Sequence, residues 1–145
     1  MTLTTEYQRL LDQGPDGVIF AGTDGVISYW NASAERIFGF SGEQALGKDL
    51  NLIIPEAFQD RHWTGYDRAL GEKATKYAGQ SLPTKALRAD GSEIYVELSF
   101  AIILDDAGEA VGALAQARDI TERFNRERES RRRLRELEAQ VEAKA

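Results

Sequence analysis

The chain has no cysteine, and only one histidine among its 145 residues. The missing thiols exclude disulfides, thiolate zinc sites and cysteine nucleophiles. The single imidazole means that any metal or haem held through a neutral nitrogen donor must be held by His62. No apolar run approaches the roughly 20 residues that span a bilayer. The amino end, Met1 to Glu6, has neither a basic start nor an apolar stretch. A cytoplasmic location with no membrane partner is therefore the expectation. Catalytic signals are also missing: there is no nucleophile beside a base, no paired buried carboxylate and no glycine-rich phosphate cradle. Asp105-Asp106 sits in an evident turn, and Gly22 to Gly25 is too short for anything but a hairpin. The expectation is a chain that is not an enzyme.

The composition, 42% hydrophobic and 29% charged, suits a globular chain with one core and a flanking segment. Charge is unevenly placed. From Asp119 onward there are eight basic and seven acidic residues, which leaves ten against seventeen in the first 118. An acidic body disfavours adhesion to polyanions, and Arg131-Arg132-Arg133 among glutamates reads as a solvated helix face. No nucleic-acid partner is expected.

Tyr7, Leu10 and Leu11 give Thr5 to Gln13 one apolar helical stripe, and Gly14-Pro15-Asp16-Gly17 stops it. Val18 to Ala21 and Val26 to Trp30 read as strands joined by an Asp24-Gly25 hairpin. Asn31 is suited to start a helix that ends near Gly39, and Ser41 with Gln44 starts another that Gly47 closes. Pro55 forbids one long helix from Asn51, so the longest core helix is expected over Ala57 to Leu70, ended by Gly71. His62, Tyr66 and Ala69 or Leu70 share one face of it.

Three strands are expected next, Thr75 to Leu82, Glu93 to Leu104 and Ala110 to Ala117, with turns at Ala89 to Ser92 and Asp105 to Gly108. In the middle one, Ile94, Val96, Leu98 and Phe100 alternate with Tyr95, Glu97 and Ser99, so one face should look toward the helices. The tail from Ile120 has no proline or glycine and places Leu134, Leu137 and Val141 at spacings of three and four. It reads as a helix, with Asp119 and Glu122 as a starting box. Ser130 interrupts the seam where it should continue backward. The fold class is α+β: a five-stranded antiparallel sheet with helices on one face, a helical flank over residues 1–14, a core over 15–118 and a possible coiled-coil helix over 119–145.

This order resembles the PAS sensor domains of bacterial signalling proteins. The likeness rests on Trp30, Asn31, Ala32, Ala34, Glu35, Ile37, Phe38, Gly39, Phe40, Glu43, Gly47 and Lys48, on the turn Arg88, Asp90, Gly91 and Ser92, and on Arg118-Asp119-Ile120-Thr121-Glu122. It implies a signal-transduction module that forms a homodimer through its N-terminal and C-terminal helices and acts on a downstream kinase or regulator. The helical composition at the carboxyl end suggests a piece of a longer sensor.

Within the family, the FixL-type oxygen sensors bind haem b through a histidine on the long helix, and the spacing from His62 to Asp90 matches their register without a gap. The resemblance implies His62 as axial ligand to the haem iron. It puts Tyr66, Leu98 and Phe100 in the pocket, Tyr77 and Gln80 at its rim, and Leu82 where the family carries the arginine that steadies bound oxygen. An apolar Leu82 favours carbon monoxide or nitric oxide as the signal. A flavin is the alternative cofactor, with Trp63 to stack on it but no cysteine to form the adduct of blue-light flavin domains. A cofactor-free dimerisation or interaction module is the remaining reading.

Overall fold

A computed structural model describes residues 2–75 and 79–144. The elements in chain order are α1 (Thr2–Gln13), β1 (Gly17–Gly22), β2 (Ile27–Trp30), α2 (Ala32–Phe38), α3 (Gly42–Ala45), a 3-10 turn (Leu50–Ile53), α4 (Glu56–Glu72), β3 (Ser81–Leu87), β4 (Glu93–Leu104), β5 (Ala110–Asp119) and α5 (Thr121–Lys144). The strands form one antiparallel sheet in the order β2-β1-β5-β4-β3. The central strand β5 and its neighbour β1 are rich in small and branched residues, and the helices between β2 and β3 cover one face. This is the α+β architecture expected from the sequence.

Asn31 ties the amino-terminal half together. Its side-chain oxygen accepts the Ala34 amide at 2.9 Å, capping α2, and the Val18 amide of β1 at 2.8 Å. Its amide nitrogen donates to the Leu11 and Asp16 carbonyls at 2.7 and 3.0 Å. One wholly buried side chain thus satisfies backbone groups from α1, the loop after it, β1 and α2. Next to it, Trp30 donates to the Phe40 carbonyl and packs on Phe38. Ser41 and Gln44 form a reciprocal capping box at α3.

The core lies between the helices and the inner face of the sheet, with Ile19, Ile27, Phe38 and Val96 fully buried. Register fixes which residues share that face. Leu82 lies opposite Leu98, which lies opposite Ala117; Phe100 is opposite Ala115, and Ile102 opposite Ala113. Three alanines of β5 therefore run along the inner face beneath the helices.

Four expectations need correction. The strand expected at Thr75 to Leu82 runs instead over Ser81–Leu87, because its ladder partner is the beginning of β4 and the tight Arg88 to Ser92 turn sets the register from that end. Helix α4 continues through Gly71 to Glu72 and is closed by Lys73 in the left-handed conformation. Helix α3 ends at Ala45, two residues before Gly47. At the start of α5, Asp119 accepts the Thr121 amide and hydroxyl, while Glu122 pairs with Arg126 and does not complete a box. Among the described residues no helix is long and apolar enough to cross a membrane.

Replacing Asn31 by Ala strands buried amides and carbonyls from several elements at once. The substitution is expected to lower unfolding free energy by roughly 3 kcal/mol in urea, whereas Ser28→Ala, on the exposed side of β2, should change it by less than about 0.5 kcal/mol.

Candidate functional site

Helix α4 is laid on the sheet by two aromatic side chains. The Tyr66 hydroxyl donates to the Gly22 carbonyl at 2.6 Å and lies 3.2 Å from that of Ala21, at the end of β1. Burial, reinforced by the Asp24 and Asp67 charges, pushes this phenol up to about 12, so it remains a donor throughout the physiological range. Trp63 donates from its indole nitrogen to Asn51 at 2.7 Å. Its ring covers Gly25, where a β-carbon would collide with it and where φ is +77°. Only glycine meets both demands without cost. The hairpin turn that the sequence announces as Asp24-Gly25 is thus also the seat of α4.

His62 lies one turn before Tyr66, half-buried, with its ring 4.7 Å from Trp63 and 5.7 Å from Tyr66 between centroids. Burial lowers its pKa below the ordinary 6.5, so the imidazole is neutral at pH 7 with one nitrogen lone pair free of a proton. Nδ1 is buried and has no hydrogen-bond partner, a condition shared among the described residues only by Arg88 Nε. An unsatisfied buried nitrogen costs of order 1–3 kcal/mol, and stability gives no reason to keep it.

The other residues expected at the site are placed as follows. Leu98 is partly buried on the inner face and packs against the core. Leu82 and Phe100 lie on that same face by register, yet each is 37% exposed. The face is therefore closed over Val96 and Ile94 and open toward Leu82 and Phe100. Gln80 is exposed just before β3. Tyr77 lies outside the described residues. Tyr66 belongs to the core cluster and holds the helix. Trp63, the residue expected to stack on a flavin, is engaged by Asn51 and Gly25. Among the described residues no cluster of acidic or imidazole groups could hold a bare metal ion.

The opposite face of β4 meets α5. Tyr95 receives the Ile120 amide on its carbonyl and gives its own amide to Thr121 Oγ1. The Tyr95 ring stacks on Phe124 at 4.0 Å, and Arg128 reaches its hydroxyl. Two residues on, Glu97 accepts from Ser81 of β3 with one oxygen and pairs with Arg123 of α5 at 3.0 Å with the other. Glu97 therefore touches both the strand that carries Leu82 and the outgoing helix. Sequence reading passed over Glu97 and Tyr95; their outward alternation in β4 was the available signal.

A sheet with one half-open apolar face under a single long helix, and an outgoing helix capped onto its other face, is the architecture of a sensory domain. The family described as PAS fold matches residues 11–125, and the chain belongs to it as a sensory signal-transduction module. It is similar to the sensor protein FixL of Bradyrhizobium diazoefficiens, 27% identical over 140 residues, covering 97% of this chain and 26% of that protein. It is also similar to the oxygen sensor protein DosP of Escherichia coli, 25% identical over 111 residues, 75% of this chain and 13% of that one. An uncharacterised protein of Azorhizobium caulinodans is 37% identical over 100 residues, 67% of this chain and 14% of its own length. Among solved structures, the PAS domain of a Colwellia psychrerythraea protein matches with a TM-score of 0.72 at 23% identity, covering 83% of this chain and 98% of that one. The chain thus spans about a quarter or less of the length of these curated relatives.

Because the His62 pKa is lowered on folding, its contribution to stability is complete above the unfolded value of 6.5 and is lost as pH falls through the folded one. The urea midpoint should fall as pH is lowered through about 6.5 and below. His62→Phe should flatten that part of the profile.

Proposed function

We propose that this module binds haem b through His62 and senses a diatomic gas, relaying occupancy to α5 in a homodimer that controls a downstream kinase or regulator. The observation that carries the reading is the neutral, half-buried His62 with its orphaned Nδ1, on the helix that roofs an apolar sheet face left open at Leu82 and Phe100. Among the described residues the donor set suits the group: one imidazole with a buried Nδ1 that has no partner, and apolar Leu82, Leu98 and Phe100 on the inner face by register. Haem b, held there by His62, would supply an iron able to take up a diatomic gas. The oxygen-sensor name of one relative and the haem register read from the sequence point the same way.

The chain's own residues do the rest. Tyr66 and Trp63 hold α4, and so His62, at a set height above the sheet. Leu98 and Phe100 exclude water. Leu82 offers no hydrogen bond to a bound gas, which favours carbon monoxide or nitric oxide over oxygen. Movement of Leu82 carries Ser81 with it, because the two are adjacent in β3, and Ser81 is bonded to Glu97 and through it to Arg123. The homodimer is supported by apolar side chains left exposed on both flanking helices, Tyr7 and Leu10 on α1 and Leu134, Leu137 and Val141 on α5. Among the described residues no set is arranged for catalysis at the site, and the role proposed is binding.

The test is an absorption spectrum after adding haem to the purified protein and removing the excess. An intense band at the violet edge, retained by the wild type and lost in His62→Ala, is the expected result. Retention by His62→Ala would overturn the axial role. Yellow protein with blue absorption would mark a flavin module, and a colourless one a cofactor-free interaction module.

A further inference from the structure

The outgoing helix α5 is two different objects along its length. Its first two turns are tied to their own sheet: Ile120, just before the helix, is buried, Phe124 stacks on Tyr95, Arg123 is paired with Glu97, and Arg128 reaches the Tyr95 hydroxyl. From Leu134 onward none of the described residues covers it, and Leu134, Leu137 and Val141 are 57%, 56% and 68% exposed along one stripe. Continued backward at heptad spacing, the same stripe passes through Ser130, Glu127 and Arg123. An apolar seam therefore exists only in the last three turns, and a charged seam precedes it.

The charges beside the seam are as uneven as the seam itself. With Leu134 and Val141 at position a and Leu137 at d, Arg133 stands at g and Glu138 at the following e. In a parallel pair these two meet across the interface, twice by symmetry. One heptad earlier the corresponding positions hold Arg126 and Arg131, which repel. Within the chain, Arg126 is paired with Glu122 and Arg132 with Glu129. Among the described residues neither Arg133 nor Glu138 takes part in an ion pair of its own chain.

From this we infer that α5 is a docking surface for α5 of a second copy, in parallel, over its last three turns only, with Arg133 of each copy facing Glu138 of the other and the first half of each helix held apart by Glu127 and the arginines. The joint is forked. Each arm of the fork is rooted on its own sheet at Tyr95 and Glu97, so a tilt at the root changes how far the closed part extends. Within α5 as described, Leu134, Leu137 and Val141 supply three apolar layers to the pair. This inference rests on the homodimer reading above and adds to it the partner surface, its direction and its limits.

The absence of cysteine makes the test clean. Leu137→Cys places the chain's only thiol on the seam, and Ala139→Cys places it on the outward face. A disulfide needs Cα atoms within about 7 Å, so mild oxidation should cross-link the first and leave the second monomeric on a denaturing gel. The charge pattern is tested separately by sedimentation equilibrium of the full chain. Arg133→Glu and Glu138→Arg should each weaken dimerisation by roughly tenfold at low salt. The double variant Arg133→Glu/Glu138→Arg should restore it, which an antiparallel pair would not do because there Glu138 faces Arg131. A dimer whose Leu137→Cys variant does not cross-link overturns this inference and leaves the homodimer standing with its joint elsewhere. A monomeric wild type with no cross-link overturns both. A double variant as weak as the single ones overturns the parallel register.

Discussion

One hydroxyl and one glycine set the height of α4 above the sheet. Tyr66 reaches across to the carbonyl of Gly22, and Trp63 rests on the bare backbone of Gly25. Both contacts join residues separated by about forty positions, so they close the largest loop in the amino-terminal half and fix where His62 stands. A donor held protonated by its burial is suited to that task, because the bond does not depend on pH in any range the protein meets. With α4 seated over the β1–β2 hairpin, the far end of the inner face is left less covered, and Leu82 and Phe100 stay partly in solvent.

The same sheet carries a second contact set on its other side. Tyr95 and Glu97 alternate with Ile94, Val96 and Leu98 along β4, so neighbouring residues face the core and the outgoing helix in turn. A strand is stiff along its length and shares backbone bonds with both neighbours. The strand whose inner side lines the core is therefore the same one to which the outgoing helix is bonded, at Tyr95 and Glu97. The polar bridge from Ser81 through Glu97 to Arg123 is exposed and energetically modest. It suits a switch better than a staple, since contacts that hold α5 too firmly would hide whatever the inner face reports.

Much of the fold could be read from local chemistry. Trp30-Asn31 announced a strand end and a helix start because asparagine is suited to cap, and the turns on either side of the alternating residues placed the ends of β4 at Glu93 and Leu104. At the Asp119-Ile120-Thr121 junction only the local half was legible, the Asp119 carboxylate accepting from Thr121, while the bonds of Ile120 and Thr121 to Tyr95 depend on the fold. What escaped depended on distant partners. The start of β3 follows from its ladder with β4, and nothing in Tyr77 to Leu82 itself marks Ser81 as the first paired residue. Tyr66 looked like a pocket residue beside His62, and only the fold brings it to a carbonyl of the hairpin. Gly71 looked like a helix end, but the helix passes through it and Lys73 takes the left-handed turn. For the site, the sequence singled out His62 by scarcity and Leu82, Leu98 and Phe100 by register. The unpaired Nδ1 and the half-open face needed three dimensions.

Having a single histidine allows the central claim to be put to one spectrum. Histidine-selective nitrogen labelling gives one imidazole, that of His62, and its NMR signals report protonation and any bound metal directly. The account requires a neutral ring at pH 7 in the cofactor-free protein, and loss or a large paramagnetic shift of both nitrogen signals when ferric haem is added. A charged, freely exchanging imidazole whose signals are unchanged by haem would contradict it.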